Sequence, residues 1–139
     1  MSGEFCDTNV LIYAYDTESA DKHRVAGALT SRLWEERTGI LSTQVLSEFY
    51  VNITKKILHP LPVLDAVAIL EDLSAWTVVS PTPATISRAI VDVALRYHLN
   101  FWDALIVQAA REARADVLWS EDLQDGQLLF GFTVRNPFA

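Results

Sequence analysis

Carboxylates flank one apolar unit of this chain on both sides. In the stretch Asn100 to Gly126, NFWDALIVQAAREARADVLWSEDLQDG, Asp103 heads a nearly all-apolar helical run from Ala104 to Ala113. A short apolar strand follows at Asp116 to Trp119, and Glu121, Asp122 and Asp125 come directly after it. An acid entering a buried helix and acids leaving a buried strand meet at one rim of a sheet. Carboxylates within a few ångströms of one another repel, and each raises its neighbour's pKa unless a cation intervenes. A hard divalent ion, Mg²⁺ or Mn²⁺, takes oxygen ligands, keeps several waters and removes that cost. Such ions activate water and stabilise a phosphodiester in displacement, so phosphodiester hydrolysis is the chemistry this arrangement suits. Each acid also has a plain structural reading, as a helix cap or a solvated surface group.

Other chemistries find no residues to carry them. The glycines Gly3, Gly27, Gly39, Gly126 and Gly131 are scattered, so no phosphate-cradling loop is present. His23, His59 and His98 stand alone, without a metalloprotease or serine-elbow motif around them. The single cysteine, Cys6, excludes an internal disulfide framework and a multi-cysteine zinc site, and it reads as a small buried hydrophobe. A net charge of −7, from 18 acids against 11 lysines and arginines, disfavours coating nucleic acid by bulk electrostatics. It leaves room for a nuclease whose metal ions cancel a local acidic cluster. At 139 residues and 50% hydrophobic content the chain is expected to form one domain, residues 1–139, with a proper core. The apolar runs fall short of a membrane span and no leader pattern opens the chain, so the expectation is a soluble cytoplasmic protein with no membrane association.

The elements that must position the acids alternate in kind. Glu4 to Asp7 reads as a strand running into DTNVLIYAYD, where Asp7 caps a helix to about Tyr13. A helix is predicted from Ala20 to about Arg37, ended by Gly39, then a strand at Ile40 to Ser42. Ser42 and Thr43 open a third helix, with Leu46, Phe49, Ile53 and Ile57 inward. Gln44, Glu48, Asn52 and Lys55 or Lys56 line its other side. Glu48 then lies about 9 Å beyond the strand end. After the break at His59 to Pro62 comes a helix from Val63 to about Ser74, with Val67, Leu70 and Leu73 inward, and a strand at Trp76 to Val79. Pro81 and Pro83 lead into a helix with Ile86, Ile90, Val93 and Tyr97 on its buried face. The last strand, Phe132 to Arg135, is expected at a sheet edge, and Trp34, Trp76, Trp102 and Trp119 read as core. The alternation predicts an α/β fold, a three-layer α/β/α single domain with a central parallel sheet of four to five strands. In such sheets ligands bind beyond the carboxyl ends of strands where strand order reverses. Asp7 and Asp122 face each other there if their strands are neighbours.

Four segments together, DTNVLIYAYD, STQVLSEF, NFWDALIVQAA and LWSEDLQDG, resemble the motif set of the PIN-domain nucleases, most of all the VapC-type toxins of toxin–antitoxin pairs. The resemblance runs along essentially the whole chain in the family's order. It implies a PIN-like fold and a Mg²⁺- or Mn²⁺-dependent endoribonuclease, often a homodimer, acting on RNA and held inactive by a cognate VapB-type antitoxin. Carried onto this sequence, it makes Asp7, Glu48, Asp103 and Asp122 the catalytic, metal-binding quartet. Thr8 and Asn9 would support Asp7, Ser42 would sit near the site, and Ser120 stands where relatives frequently carry Thr. Asp125 is either an accessory ligand or a turn residue. Lys22, Arg24, Lys55 and Lys56 are candidate RNA phosphate contacts or ordinary solvated cations. Two alternatives remain. A haloacid-dehalogenase-like phosphatase also hangs an Asp beyond its first strand, but it wants a second Asp where Asn9 stands and a lysine that residues 100–126 lack. A non-catalytic PIN-like protein would work by binding a partner alone.

Overall fold

The computed structural model describes residues 3–139; Met1 and Ser2 lie outside the described residues. In chain order the elements are β1 (Glu4–Cys6), α1 (Thr8–Tyr13), α2 (Ala20–Glu36), β2 (Gly39–Ser42), α3 (Thr43–Val51), α4 (Val63–Leu73), β3 (Thr77–Val79), α5 (Pro83–Arg88), α6 (Leu95–Tyr97), α7 (Phe101–Glu112), β4 (Val117–Trp119), β5 (Leu128–Leu129) and β6 (Phe132–Arg135). Two π-helical stretches, Asn52–Lys56 after α3 and Ala89–Ala94 between α5 and α6, extend those helices.

The strands form one sheet in the order β3-β2-β1-β4-β6-β5. All pairings are parallel except β5 with β6. Connections from β1 lead one way to β2 and β3, and the chain then crosses back to β4. Right-handed crossovers therefore put α1 to α4 on one face and the α5–α7 group on the other. The packing agrees: α1 lies on α2 and α3, α3 on α4, and α7 on the π-helical stretch and α5. Between the layers sit Phe5, Leu41, Phe49, Ile53, Ile106 and Leu118, essentially without solvent contact. The predicted three-layer architecture is thus present.

Several details differ from expectation. The sheet has six strands rather than four or five, and β6 is interior because β5 covers it. β5 is two residues long, too short to show any periodicity, and exists because Phe130 (φ 47°) and Gly131 (φ 90°) make a two-residue turn with both φ positive. Helix α2 ends at Arg37, which takes the left-handed conformation itself, and not at Gly39. Gly39 answers a packing demand: a Cβ there would lie 2.2 Å from the Trp76 ring. On α4 Ala66 and Leu73 are buried and Leu70 is half-buried against the core, as expected for the two leucines, while Val67 is 37% exposed. Along α5 and the π-helical stretch that continues it, the inward line is Thr85, Ala89 and Val93, leaving Ile86 and Ile90 outside. Adjacent lines on a helix share the same spacing, and small side chains allow the closer approach to α7.

The Gly39 contact is testable. Gly39→Ala is expected to lower the free energy of unfolding by about 1–3 kcal/mol through overpacking against Trp76. Urea denaturation followed by fluorescence measures it; an unchanged midpoint would show that the indole moves aside freely.

Candidate functional site

Strand order reverses between β1 and β4, which pair in parallel with Cys6 opposite Trp119. The residues that follow, Asp7 and Ser120, therefore emerge side by side. Asp7 is the N-cap of α1, and its backbone N–H still donates to the Trp119 carbonyl at 2.9 Å. Its Oδ1 accepts from the Thr8 N–H at 2.7 Å and its Oδ2 from the Ser120 hydroxyl at 2.8 Å. The Ser120 Oγ accepts in turn from the Asp122 N–H at 3.2 Å, so one buried hydroxyl orients both acids. Asp7 is thus a helix cap whose carboxylate also lines an acidic cleft.

The other two acids arrive from helices. Asp103 sits in the first turn of α7, where the helix dipole favours negative charge. Asn100 fixes it reciprocally, accepting from the Asp103 N–H at 2.9 Å and donating to its Oδ2 at 2.9 Å. Glu48 lies on α3, and its Oε1 accepts from the Thr8 hydroxyl at 3.0 Å and the Gln44 amide at 3.4 Å. Thr8 thus supports Asp7 through its backbone and Glu48 through its side chain. Asp7, Glu48, Asp103 and Asp122 all line one open cleft of about 480 Å³, together with Thr8, Asn9 and Lys56.

The carboxylates feel one another. Asp7 is 6% exposed. Its pKa rises from 3.8 to about 6, first through burial, then through the charges of Asp122 and Asp103, against the opposing hydrogen bonds from Ser120 and Thr8. Asp122 is also raised, by partial burial and by Asp103 and Glu121. Burial pushes the Cys6 thiol beneath the site far up as well, so it stays a neutral core group.

Do these residues fit a cation? Among the described residues no three His, Cys, Asp or Glu side chains converge tightly enough to ligate one ion directly. A hydrated Mg²⁺ needs no such cage, being held by one or two carboxylates with waters in its other positions. The cleft has room for that shell, and the Asn9 side-chain oxygen and nitrogen are buried there without a hydrogen-bond partner. The donor set, all oxygen and amide, is that of a hard cation. The fit is to a hydrated ion.

The remaining candidates separate. Ser42 is buried and caps α3, accepting from the Val45 N–H at 3.2 Å, and it does not line the cleft. Asp125 accepts from the Asn136 N–H at 2.8 Å, a turn role outside the cleft. Lys22 pairs with Glu121 and lies over the Tyr13 ring, and Arg24 makes an exposed pair with Asp21 at 3.7 Å. Of the lysine pair, Lys56 lines the cleft and Lys55 does not. Asn100 went unread in the sequence, although an Asn three residues before an acid is a cap signal. The tryptophan expectation fails for two: Trp102 is 61% exposed at the cleft rim and Trp34 is 47% exposed. Both sit on helices whose inward line is filled by other residues.

A family model, PIN domain, matches residues 5–124. No curated protein matches the sequence. Among solved structures, a toxin–antitoxin complex from Klebsiella pneumoniae is similar with a TM-score of 0.71 and 20% identity, over 98% of each chain. The sarcin–ricin loop cleaving toxin VapC20 of Mycobacterium tuberculosis is similar with a TM-score of 0.64 and 18% identity, over 86% of this chain and 90% of that one. VapBC2 of Rickettsia felis, bound to a promoter DNA fragment, gives 0.63 and 16%, over 96% and 97%. At these identities the likeness is one of fold.

The raised pKa of Asp7 has a signed consequence for metal-free stability. Its charged form costs the folded state; the cost is fully present above pH about 6 and gone below 3.8. Asp7→Asn is therefore expected to stabilise the chelated protein at pH 7 by about 1–3 kcal/mol. The gap to wild type should close as pH falls from 6 to 4, measured by urea denaturation in EDTA. A gap independent of pH would assign it to something other than charge.

Proposed function

The chain belongs to the PIN domain family, and on that footing we propose that it is a divalent-metal-dependent endoribonuclease, the toxin of a VapBC-type toxin–antitoxin pair. One observation carries the reading: Asp7, Glu48, Asp103 and Asp122, from four separate parts of the chain, line a single cleft at the reversal of strand order. The similar fold of a sarcin–ricin loop cleaving toxin and of two toxin–antitoxin complexes supports the biological role.

In this proposal Asp7, Asp103, Asp122 and Glu48 are the residues that would hold Mg²⁺ or Mn²⁺. When bound, such an ion would supply an activated water and positive charge for the phosphodiester. The protein's own part is orientation. Ser120 and Thr8 fix both oxygens of Asp7, Asn100 fixes Asp103, and Thr8 with Gln44 fixes Glu48. Lys56 offers a cation to an RNA phosphate at the cleft wall. The phosphatase alternative is disfavoured by Asn9, which lines the cleft where that chemistry needs a carboxylate. Among the described residues no helix is long and apolar enough to cross a membrane; a cytoplasmic location belongs to the proposal.

An antitoxin is the proposed partner, supplying an arginine or other cation to the acidic cleft, since a carboxylate cluster without metal readily accepts a bidentate guanidinium. A homodimer is the proposed assembly. Co-expression with the product of the adjacent gene should relieve toxicity and give a complex on a sizing column. Failure of both would remove the antitoxin from the account.

The catalytic test uses purified protein freed of any partner. Asp7→Asn and Asp103→Asn should fold but cleave RNA at least about 100-fold more slowly than wild type. Cleavage should stop in EDTA, return with Mg²⁺ or Mn²⁺, and respond little to Ca²⁺. Equal cleavage by variant and wild type, or persistence in excess chelator, would sink the reading.

A further inference from the structure

Beside the acidic cleft runs a second groove of about 570 Å³ whose walls are largely apolar: Trp102, Ile86, Phe101, Leu105 and Pro81. The two share Gln44, Ser47, Glu48 and Trp102, so they are continuous across one rim. Trp102 stands on that rim with 61% of its surface exposed. Its position is held on both sides. The Phe101 ring meets the indole edge to face at 5.0 Å, and the Gln44 amide donates to the Trp102 carbonyl at 3.2 Å while also reaching Glu48.

We propose that this groove is a nucleobase site for single-stranded RNA, with Trp102 as the stacking platform beside the reacting phosphate; the proposal rests on the nuclease reading of the adjacent cleft. Continuity decides the occupant. Whatever phosphodiester lies among the acids carries a base on each side, and the shared rim places an exposed indole within reach of one of them. Charge points the same way. The protein carries a net −7, Lys22 is paired with Glu121, Arg24 does not line the cleft, and Lys56 is the lysine or arginine that does. Affinity for RNA drawn from phosphate contacts alone is then weak, whereas stacking on an aromatic side chain needs no positive field. The apolar walls of Ile86 and Leu105, one of them 40% exposed, suit the flat face of a base better than a hydrated phosphate.

The test measures binding without cleavage. Wild type in Ca²⁺ is titrated with oligoadenylate of about twelve nucleotides, and intrinsic tryptophan fluorescence and anisotropy of the labelled oligomer are read together. Quenching is expected, and Trp102→Ala should abolish most of it and weaken binding by about 5- to 150-fold. Trp102→Phe should recover most of the affinity, and Trp34→Ala, altering an exposed indole away from the cleft, should change nothing. An abasic ribose-phosphate oligomer of equal length should bind wild type as weakly as oligoadenylate binds Trp102→Ala. Undiminished binding by Trp102→Ala, or equal binding of the abasic oligomer, would overturn the base site. So would a groove that takes a protein side chain instead, seen as Trp102→Ala weakening the antitoxin complex and leaving RNA binding intact. Loss of the nuclease reading shows separately, as Asp7→Asn cleaving like wild type.

Discussion

The hydrogen bond from Ser120 to Asp7 joins the two halves of this molecule at the point where they matter. It spans adjacent parallel strands whose register sets Cys6 against Trp119, and it converts that register into the orientation of a carboxylate. Because side chains alternate across a strand, a slip of one residue would turn Ser120 away and send the following acid to the wrong face. The core beneath enforces the alignment: Phe5, Cys6 and Leu118 are fully buried, and a one-residue slip would turn buried side chains to the opposite face of the sheet. Hydrophobic packing therefore sets the geometry, and the buried charge bears its cost. A folded chain retaining an acid that burial pushes to about pH 6 has a standing deficit that a bound cation would offset.

Around that pair, each further acid is held by a residue of modest chemistry. Asn100 caps α7 and grips Asp103, and Thr8 turns its hydroxyl away from Asp7 to reach Glu48. The Thr8 bond ties α1 to α3, and the Gln44 amide, donating to the Trp102 carbonyl, ties α3 to α7, so helices from both layers meet at the cleft. Rigid elements rather than loops carry the acids, apart from Asp122, which follows β4 on a short connection. Such anchoring limits how far the carboxylates can separate to relieve their repulsion.

Much of this was legible in the chain itself. Alternating apolar runs and helical spacing imply the parallel sheet, and acids at element ends imply the rim on which they meet. Strand adjacency could be stated only as a condition, because pattern says which residues form a strand and not which strand lies beside it. The two-residue β5 escaped because it depends on a turn at Phe130 and Gly131, not on periodicity. Ile86 and Ile90 misled because hydrophobicity favours them over Thr85 and Ala89, while close helix packing favours the small residues. Gly39 misled differently. A glycine after a helix suggests a cap, but Arg37 took that conformation and Gly39 makes room for an indole distant in sequence.

The π-helical turn after α3 bears on how this rim tolerates change in chain length. Across Asn52–Lys56 the backbone closes one residue wider than an α-helix, with the Ile57 N–H donating to the Asn52 carbonyl at 3.1 Å. In a regular helix at about 100° per residue, Lys55 would share the azimuth of Glu48. The wider turn delays the phase, so Lys56 faces the cleft instead. Two consecutive lysines make the outcome indifferent to winding: whether that turn is α or π, an ammonium group comes round to the same side. A single-residue deletion there would be absorbed as a return to regular helix, with Lys56 still on the cleft side. The positive charge at this wall is buffered against a frame shift of the helix, whereas the acids opposite, each tied to one register, are not.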